Sequence, residues 1–207
     1  MARLNYLKEI EKRIVESTPG SVFITSDFLD VAQTSAINQA LRRLSQDQVI
    51  LRRIMRGIYE HPEYSEFLQE IVAPDPNLVA AALARNYGWT IAPCGNTALN
   101  RLGLSTQVPS VWSYASDGPY KTYELFGMTL KFKHTTRKEI TGISEKSAVV
   151  VQALKKLGQA SEEAAIVKLR QSLSAAEKRR LLSETRYVTA WIFEAIKQIC
   201  KGNDRND

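Results

Sequence analysis

Arg52, Arg53 and Arg56 put three guanidinium groups within five residues of chain. A guanidinium stays charged and forks onto phosphate or carboxylate oxygens. Just upstream, Ser35, Asn38, Gln39, Arg42 and Gln46 recur so that a helix would carry them along one side. Asn and Gln pair bidentately with adenine, and Arg with guanine. Gln33 and Thr34 stand where that helix begins, and backbone N–H groups at a helix start attract phosphate. The window from Arg42 to Ile58 holds five arginines and one acid, Asp47, a net +4, whereas residues 1–62 together carry only +2. This chemistry suits a nucleic acid, with polar side chains on base edges and cations on the backbone. A solvated helix face and an ordinary surface hairpin are the plainer readings of each signal taken alone.

The elements that must position these residues can be read from periodicity. Leu4, Leu7, Ile10, Ile14 and Val15 recur at helical spacing, and Thr18-Pro19-Gly20 stops that helix. Residues 21–25 form a short β-prone run. Ser26 or Asp27 caps a short helix with Phe28, Leu29 and Val31. Thr34 or Ser35 caps a third helix, whose apolar side holds Ala36, Ile37, Ala40, Leu41 and Leu44. Residues 49–51 and 57–59 are β-prone, joined by the basic segment 52–56. Helix, strand, helix, helix, hairpin is the order of a winged helix-turn-helix.

Residues 62–76 read as a junction with three prolines and four acids, and a short helix is expected over residues 65–71. Asn77 caps a helix running to Tyr87, and residues 93–102 read as another, ended by Gly103. Asp117-Gly118-Pro119 is a turn. Residues 122–126 and 128–134 flank Gly127 as a hairpin. Helices are expected over 144–157, 162–173 and 175–201, with a frayed polar end over the last six residues. The expected fold class is α+β. A winged helix-turn-helix spans 1–62, a junction 63–76, a mixed α+β domain 77–142, and a helical part packed on it 143–201.

The chain has 207 residues, net charge +6, 44% apolar and 24% charged residues, which excludes collagen-like and wholly disordered classes. Two cysteines, Cys94 and Cys200, and two histidines, His61 and His134, supply neither a disulfide framework nor a multi-ligand metal site. Neither Cys94 nor His134 has a recognisable catalytic partner, and no carboxylates cluster. No enzyme activity, metal or cofactor is expected. Asn96 or Thr97 reads as a helix cap, and Trp89, Trp112, Tyr114 and Trp191 as core or interface anchors. With no continuous apolar run, a cytoplasmic location away from membranes is expected.

Leu41-Arg42-Arg43-Leu44, Gly57-Ile58-Tyr59, Tyr87-Gly88-Trp89-Thr90-Ile91-Ala92-Pro93 and the run from Asn96 to Pro109 resemble AbiEi-type antitoxins. Tyr114, Asp117-Gly118-Pro119 and Lys131-Phe132-Lys133-His134 fit the same pattern, so the likeness covers residues 1–140. The resemblance implies a sequence-specific, DNA-binding antitoxin that represses its own operon through double-stranded operator DNA. It also implies a nucleotidyltransferase-like toxin as functional partner. The alternative is a protein-interaction module that neutralises the toxin by direct binding. Lys121, Lys131, Lys133, Arg137 and Lys138 oppose Glu124 and Glu139, a net +3. They read as a second nucleic-acid or toxin surface, or as a solvated strand face. The apolar stripe Tyr187, Trp191, Ile192, Ala195, Ile196 and Ile199 packs on the second domain or builds a homodimer.

Overall fold

Amphipathic periodicity builds the first element, α1 (Asn5–Val15), which buries Ile10 and Ile14 completely. The computed structural model describes residues 5–159 and 163–201. Leu4, Glu162 and the last six residues, each part of an expectation above, lie outside them. After α1 come β1 (Val22–Ile24), a 3₁₀ turn (Thr25–Phe28) where a short helix was expected, and α2 (Thr34–Leu44). β2 (Arg52–Met55) and β3 (Ile58–Glu60) follow, and an antiparallel sheet forms in the order β1-β3-β2. Ile10, Ile14, Phe28, Ile37, Ala40, Leu41, Leu51 and Tyr59 form one core. Each large apolar side chain there contributes roughly 1.5–3 kcal/mol by leaving water. Arg13 clamps this arrangement by forking onto Asp30 at 2.7 and 3.0 Å while reaching Glu9 at 3.2 Å.

Two expectations change within this unit. Residues 65–71 are not helical. Tyr64–Ser65 and Glu70–Ile71 are β4 and β5, paired antiparallel. The helix α3 (Pro76–Tyr87) is capped by Asp75, whose carboxylate accepts from the Asn77 N–H at 2.7 Å, and not by Asn77. This helix packs on β1 and β3, so the compact unit runs to Gly88 and the second begins at Trp89, twelve residues beyond the start expected from composition.

The C-terminal unit is built on a four-stranded sheet of β6 (Ile91–Pro93), β7 (Val111–Ser116), β8 (Lys121–Leu125) and β9 (Met128–His134). The order is β6-β7-β9-β8, with β7 and β9 parallel and the other pairs antiparallel. The β8–β9 turn places Phe126 and Gly127 both at positive φ, the backbone of a two-residue hairpin. Phe132 is the hub of one sheet face, with the rings of Trp89, Tyr114 and Tyr123 within 5.6–6.0 Å of it. Gly118 lies so close to the Trp89 indole that a Cβ would sit 2.5 Å from it.

Residues 93–102 are not one helix. Pro93 closes the edge strand β6, and α4 is Asn96–Arg101. Gly95 takes the cap position. Buried Thr97 instead accepts the Ser113 N–H, at 2.8 Å. Helices α5 (Glu145–Leu157), α6 (Glu163–Ser172), α7 (Ala175–Glu184) and α8 (Ala190–Cys200) follow. The single helix expected over 175–201 breaks at 185–189. There the buried Thr185 hydroxyl donates to the Leu181 carbonyl at 2.6 Å. Ala98, Val150, Leu154, Leu169, Leu181, Ile192, Ile196 and Ile199 share one core that joins α4 to all four later helices.

A 3₁₀ turn (Arg137–Glu139) follows β9 and buries the Glu139 carboxylate. Burial pushes this carboxyl up, but hydrogen bonds from Lys155, Thr135 and Gln152 outweigh burial and hold it below the ordinary range. Glu139 therefore contributes stability that is full above the unfolded value, about pH 4.3, and is lost as pH falls through the folded value. All three tryptophans lie in this unit. Their fluorescence in acid titrations should show destabilisation below about pH 4.3, and Glu139→Gln should make that dependence shallower.

Candidate nucleic-acid interface

Helix α2 forms because its apolar residues recur on one side. Ile37, Ala40 and Leu41 are buried, while Gln33, Thr34, Ser35, Asn38, Gln39, Arg42 and Gln46 are exposed. The hairpin β2–β3 lies beside it. Alternation along β2 turns Arg52 and Ile54 inward and Arg53 outward. The register then shifts between Arg53 and Met55, and the strand ends in a tight Arg56-Gly57 turn with Gly57 at positive φ.

These elements converge on an open cleft of about 470 Å³, lined by Thr25, Asn38, Arg42, Arg53, Arg56, Gly57 and Tyr59. Four residues read from the sequence, Asn38 and Arg42 of α2 with Arg53 and Arg56 of the hairpin, therefore line one cleft. The Thr25 hydroxyl donates to Asn38 Oδ1 at 2.8 Å, which orients the amide and leaves its N–H groups available. Gln33, Thr34, Ser35 and Gln39 are exposed on α2 outside this lining. Thr25 and Tyr59 were not among the expected residues. Their approach to α2 comes from tertiary packing of the 3₁₀ turn after β1 and of β3, which local pattern does not display.

Arg52 does not belong to this surface. It is 8% exposed and Glu60 1%. Its Nε donates to Glu60 Oε2 at 2.8 Å, and its Nη2 donates to the same oxygen and, at 2.8 Å, to the Val72 carbonyl. The expectation that Arg52 contacts phosphate gives way to a buried ion pair. One sequence signal pointed there: Arg52 shares a strand face with the inward Ile54.

The second basic group is also rearranged. Lys131 and Lys133 pair in register with Ser113 and Ala115, whereas Lys121 pairs with Phe132. Cross-strand partners share a face, so Lys121 lies on the opposite side of the sheet from Lys131 and Lys133. Arg137 and Lys138 are exposed on the 3₁₀ turn after β9. Cys94 is buried, and burial raises its thiol above the ordinary range. Among the described residues, no three of His, Cys, Asp and Glu gather as a metal-binding group. No helix among them is long and apolar enough to cross a membrane.

A family model matches residues 9–181, most of the chain. The chain belongs to the DUF6088 family. That family is described as one of unknown function. No curated protein and no solved structure matches the chain. For this DUF6088 member, the geometry of the cleft is therefore the ground for a functional reading.

Removing one partner of a buried ion pair leaves the other charge stranded, at a cost of about 3–5 kcal/mol. Arg52→Ala should show that loss in chemical denaturation and in hydrogen exchange of the β2–β3 amides. Replacing Arg52 and Glu60 together by Met and Leu should recover most of it.

Proposed function

We propose that the N-terminal unit is a winged helix-turn-helix that reads double-stranded operator DNA. In this reading the chain is an antitoxin and transcriptional autorepressor. One observation carries the DNA part: α2 and the β2–β3 hairpin bring Asn38, Arg42, Arg53 and Arg56 to a single open cleft. Asn38, Gln39 and Arg42 stand on the exposed side of α2, as a major-groove reader requires. Arg53 and Arg56 hold the phosphate backbone from the wing. Gln33, Thr34 and Ser35, at the start of α2, meet a phosphate or a base edge at the groove rim. The antitoxin part rests on the resemblance of residues 1–140 to AbiEi-type antitoxins, with a nucleotidyltransferase-like toxin as the partner.

A specific feature favours direct protein binding as the second reading. The β4–β5 hairpin exposes Phe67 (94%), Leu68, Tyr64 and Ile71 among Glu63, Glu66 and Glu70. An exposed apolar patch of this kind is a common protein contact. Co-purification with the product of the adjacent gene separates the two readings. A stable stoichiometric complex lost on Phe67→Ser favours direct neutralisation. Its absence favours action through DNA.

The DNA reading is tested by binding assays on the promoter fragment upstream of the chain's own reading frame and on a scrambled duplex. Arg53→Ala with Arg56→Ala should weaken binding to both and lower the salt slope by about two. Asn38→Ala should cost about 1–3 kcal/mol on the promoter and little on the scrambled duplex. Unchanged affinity and footprint in both variants would overturn the assignment.

A further inference from the structure

A shallow depression open to solvent, of about 300 Å³, lies within the C-terminal unit between the end of α5 and β9. Lys133 of β9 and Lys155 and Lys156 of α5 line it, with Gln152, His134 and Tyr120. Glu139 organises this wall. Its Oε2 accepts from Lys155 Nζ at 2.7 Å, from the Thr135 hydroxyl at 2.8 Å and from Gln152 Nε2 at 3.3 Å. Glu139 and Gln152 are both buried, 6% and 5% exposed. One fixed carboxylate thus holds three lining side chains in place before any ligand arrives, and pre-organisation of this kind lowers the cost of binding.

The charges around the depression do not balance. Three ammonium groups face one carboxylate, a net +2. Lys155 is paired, and Lys133 and Lys156 make no ion pair among the described residues. A phosphate monoester carries about −1.5 to −2 at pH 7 and offers three acceptor oxygens, so it neutralises this group where a carboxylate would leave charge over. The remaining walls suit what a phosphate is attached to. Tyr120 is 71% exposed, with its ring centroid 6.4 Å from that of His134, and presents an aromatic face. His134 Nδ1–H donates to the Gly118 carbonyl at 2.9 Å, which orients the ring and turns Nε2 away from that bond.

We propose that this depression binds a nucleoside monophosphate, with the phosphate among Lys133, Lys155 and Lys156 and the base stacked on Tyr120. The proposal does not rest on the DNA reading of the N-terminal unit, because every lining residue lies beyond Gly88. A 5′-phosphate at the end of a strand carries the same chemistry as a free nucleotide.

Calorimetric titration of the full chain with adenosine monophosphate, uridine monophosphate, adenosine and inorganic phosphate tests it. Both nucleotides should bind more tightly than phosphate, and adenosine should not bind. Lys133→Ala with Lys156→Ala should weaken nucleotide binding at least about tenfold. Tyr120→Ala should weaken the nucleotides towards the level of phosphate and leave phosphate unchanged. A 5′-phosphorylated trinucleotide that binds more tightly than the mononucleotides makes a strand end the ligand, and one that is excluded makes it a free nucleotide. Matching unfolding curves show that the variants fold, and Lys156→Gln alone replaces the double variant if it does not. Absence of nucleotide binding at millimolar concentration would overturn the proposal. So would binding that survives the lysine substitutions, which would place the nucleotide elsewhere on the chain.

Discussion

A guanidinium taken out of water must be neutralised where it lies. Arg52 is such a group, and Glu60, directly across the ladder, is its counter-charge. This requirement ties the β2–β3 register to one pairing. Slipping the strand by one residue would turn Arg52 outward, strand Glu60 and carry Ile54 into solvent. With the register held, Arg53 faces out, and the irregularity before Met55 brings Arg56 to the rim of the same cleft. The bond from Arg52 to the Val72 carbonyl also fastens the chain that leaves the β4–β5 hairpin. Arg52 is thus the positioning residue of the arginine group, and the cleft owes its two exposed cations to the one that is hidden.

The C-terminal unit uses a buried carboxylate for a comparable purpose. Glu139 sits where a 3₁₀ turn leaves β9, and its three donors come from the end of β9 and from α5. Sheet and helix are joined there by a charge-assisted network, while Ala92, Ala115 and Ala148 let them approach closely. The small apolar residues explain the close packing. The carboxylate explains why Lys155, only partly exposed, has one preferred place.

Periodicity revealed α1 and α2 because each buries one side and wets the other, and a single residue's displacement would spoil the pattern, whereas α5 is buried all round from Ser147 to Leu154. The β8–β9 hairpin was legible for a related reason: strands with Leu130 and Phe132 inward meet at a glycine turn. Residues 65–71 misled because Phe67, Leu68 and Ile71 have helical spacing, yet in the folded chain they are exposed and the backbone pairs as strands. Pro93 reads as a helix start, but a sheet edge also tolerates proline, and β6 is an edge. At the site, residue type alone did not tell a buried arginine from an exposed one. Lys155 and Lys156 were not among the residues singled out in the sequence. Only the fold brings them to Lys133, more than twenty residues away in sequence.

The two cationic clefts differ in a way that bears on what each can hold. In the N-terminal cleft, Arg42, Arg53 and Arg56 have no acid among the lining residues, and the cleft lies along an exposed helix face. The polar residues of α2 extend beyond the cleft itself. Such a site suits a polymer, whose many phosphates reward several separate cations. In the C-terminal site Lys155 alone of the three lysines has a buried counter-charge, Glu139, and the lining is an open depression of about 300 Å³. Its charge excess corresponds to one phosphate group, and Glu139 fixes three of its lining side chains, Lys155, Thr135 and Gln152. The net charge of +6 therefore describes neither site. What distinguishes them is where the compensating carboxylates stand: Glu60 neutralises a cation that never reaches the N-terminal cleft, whereas Glu139 is bonded to the wall that would meet the ligand.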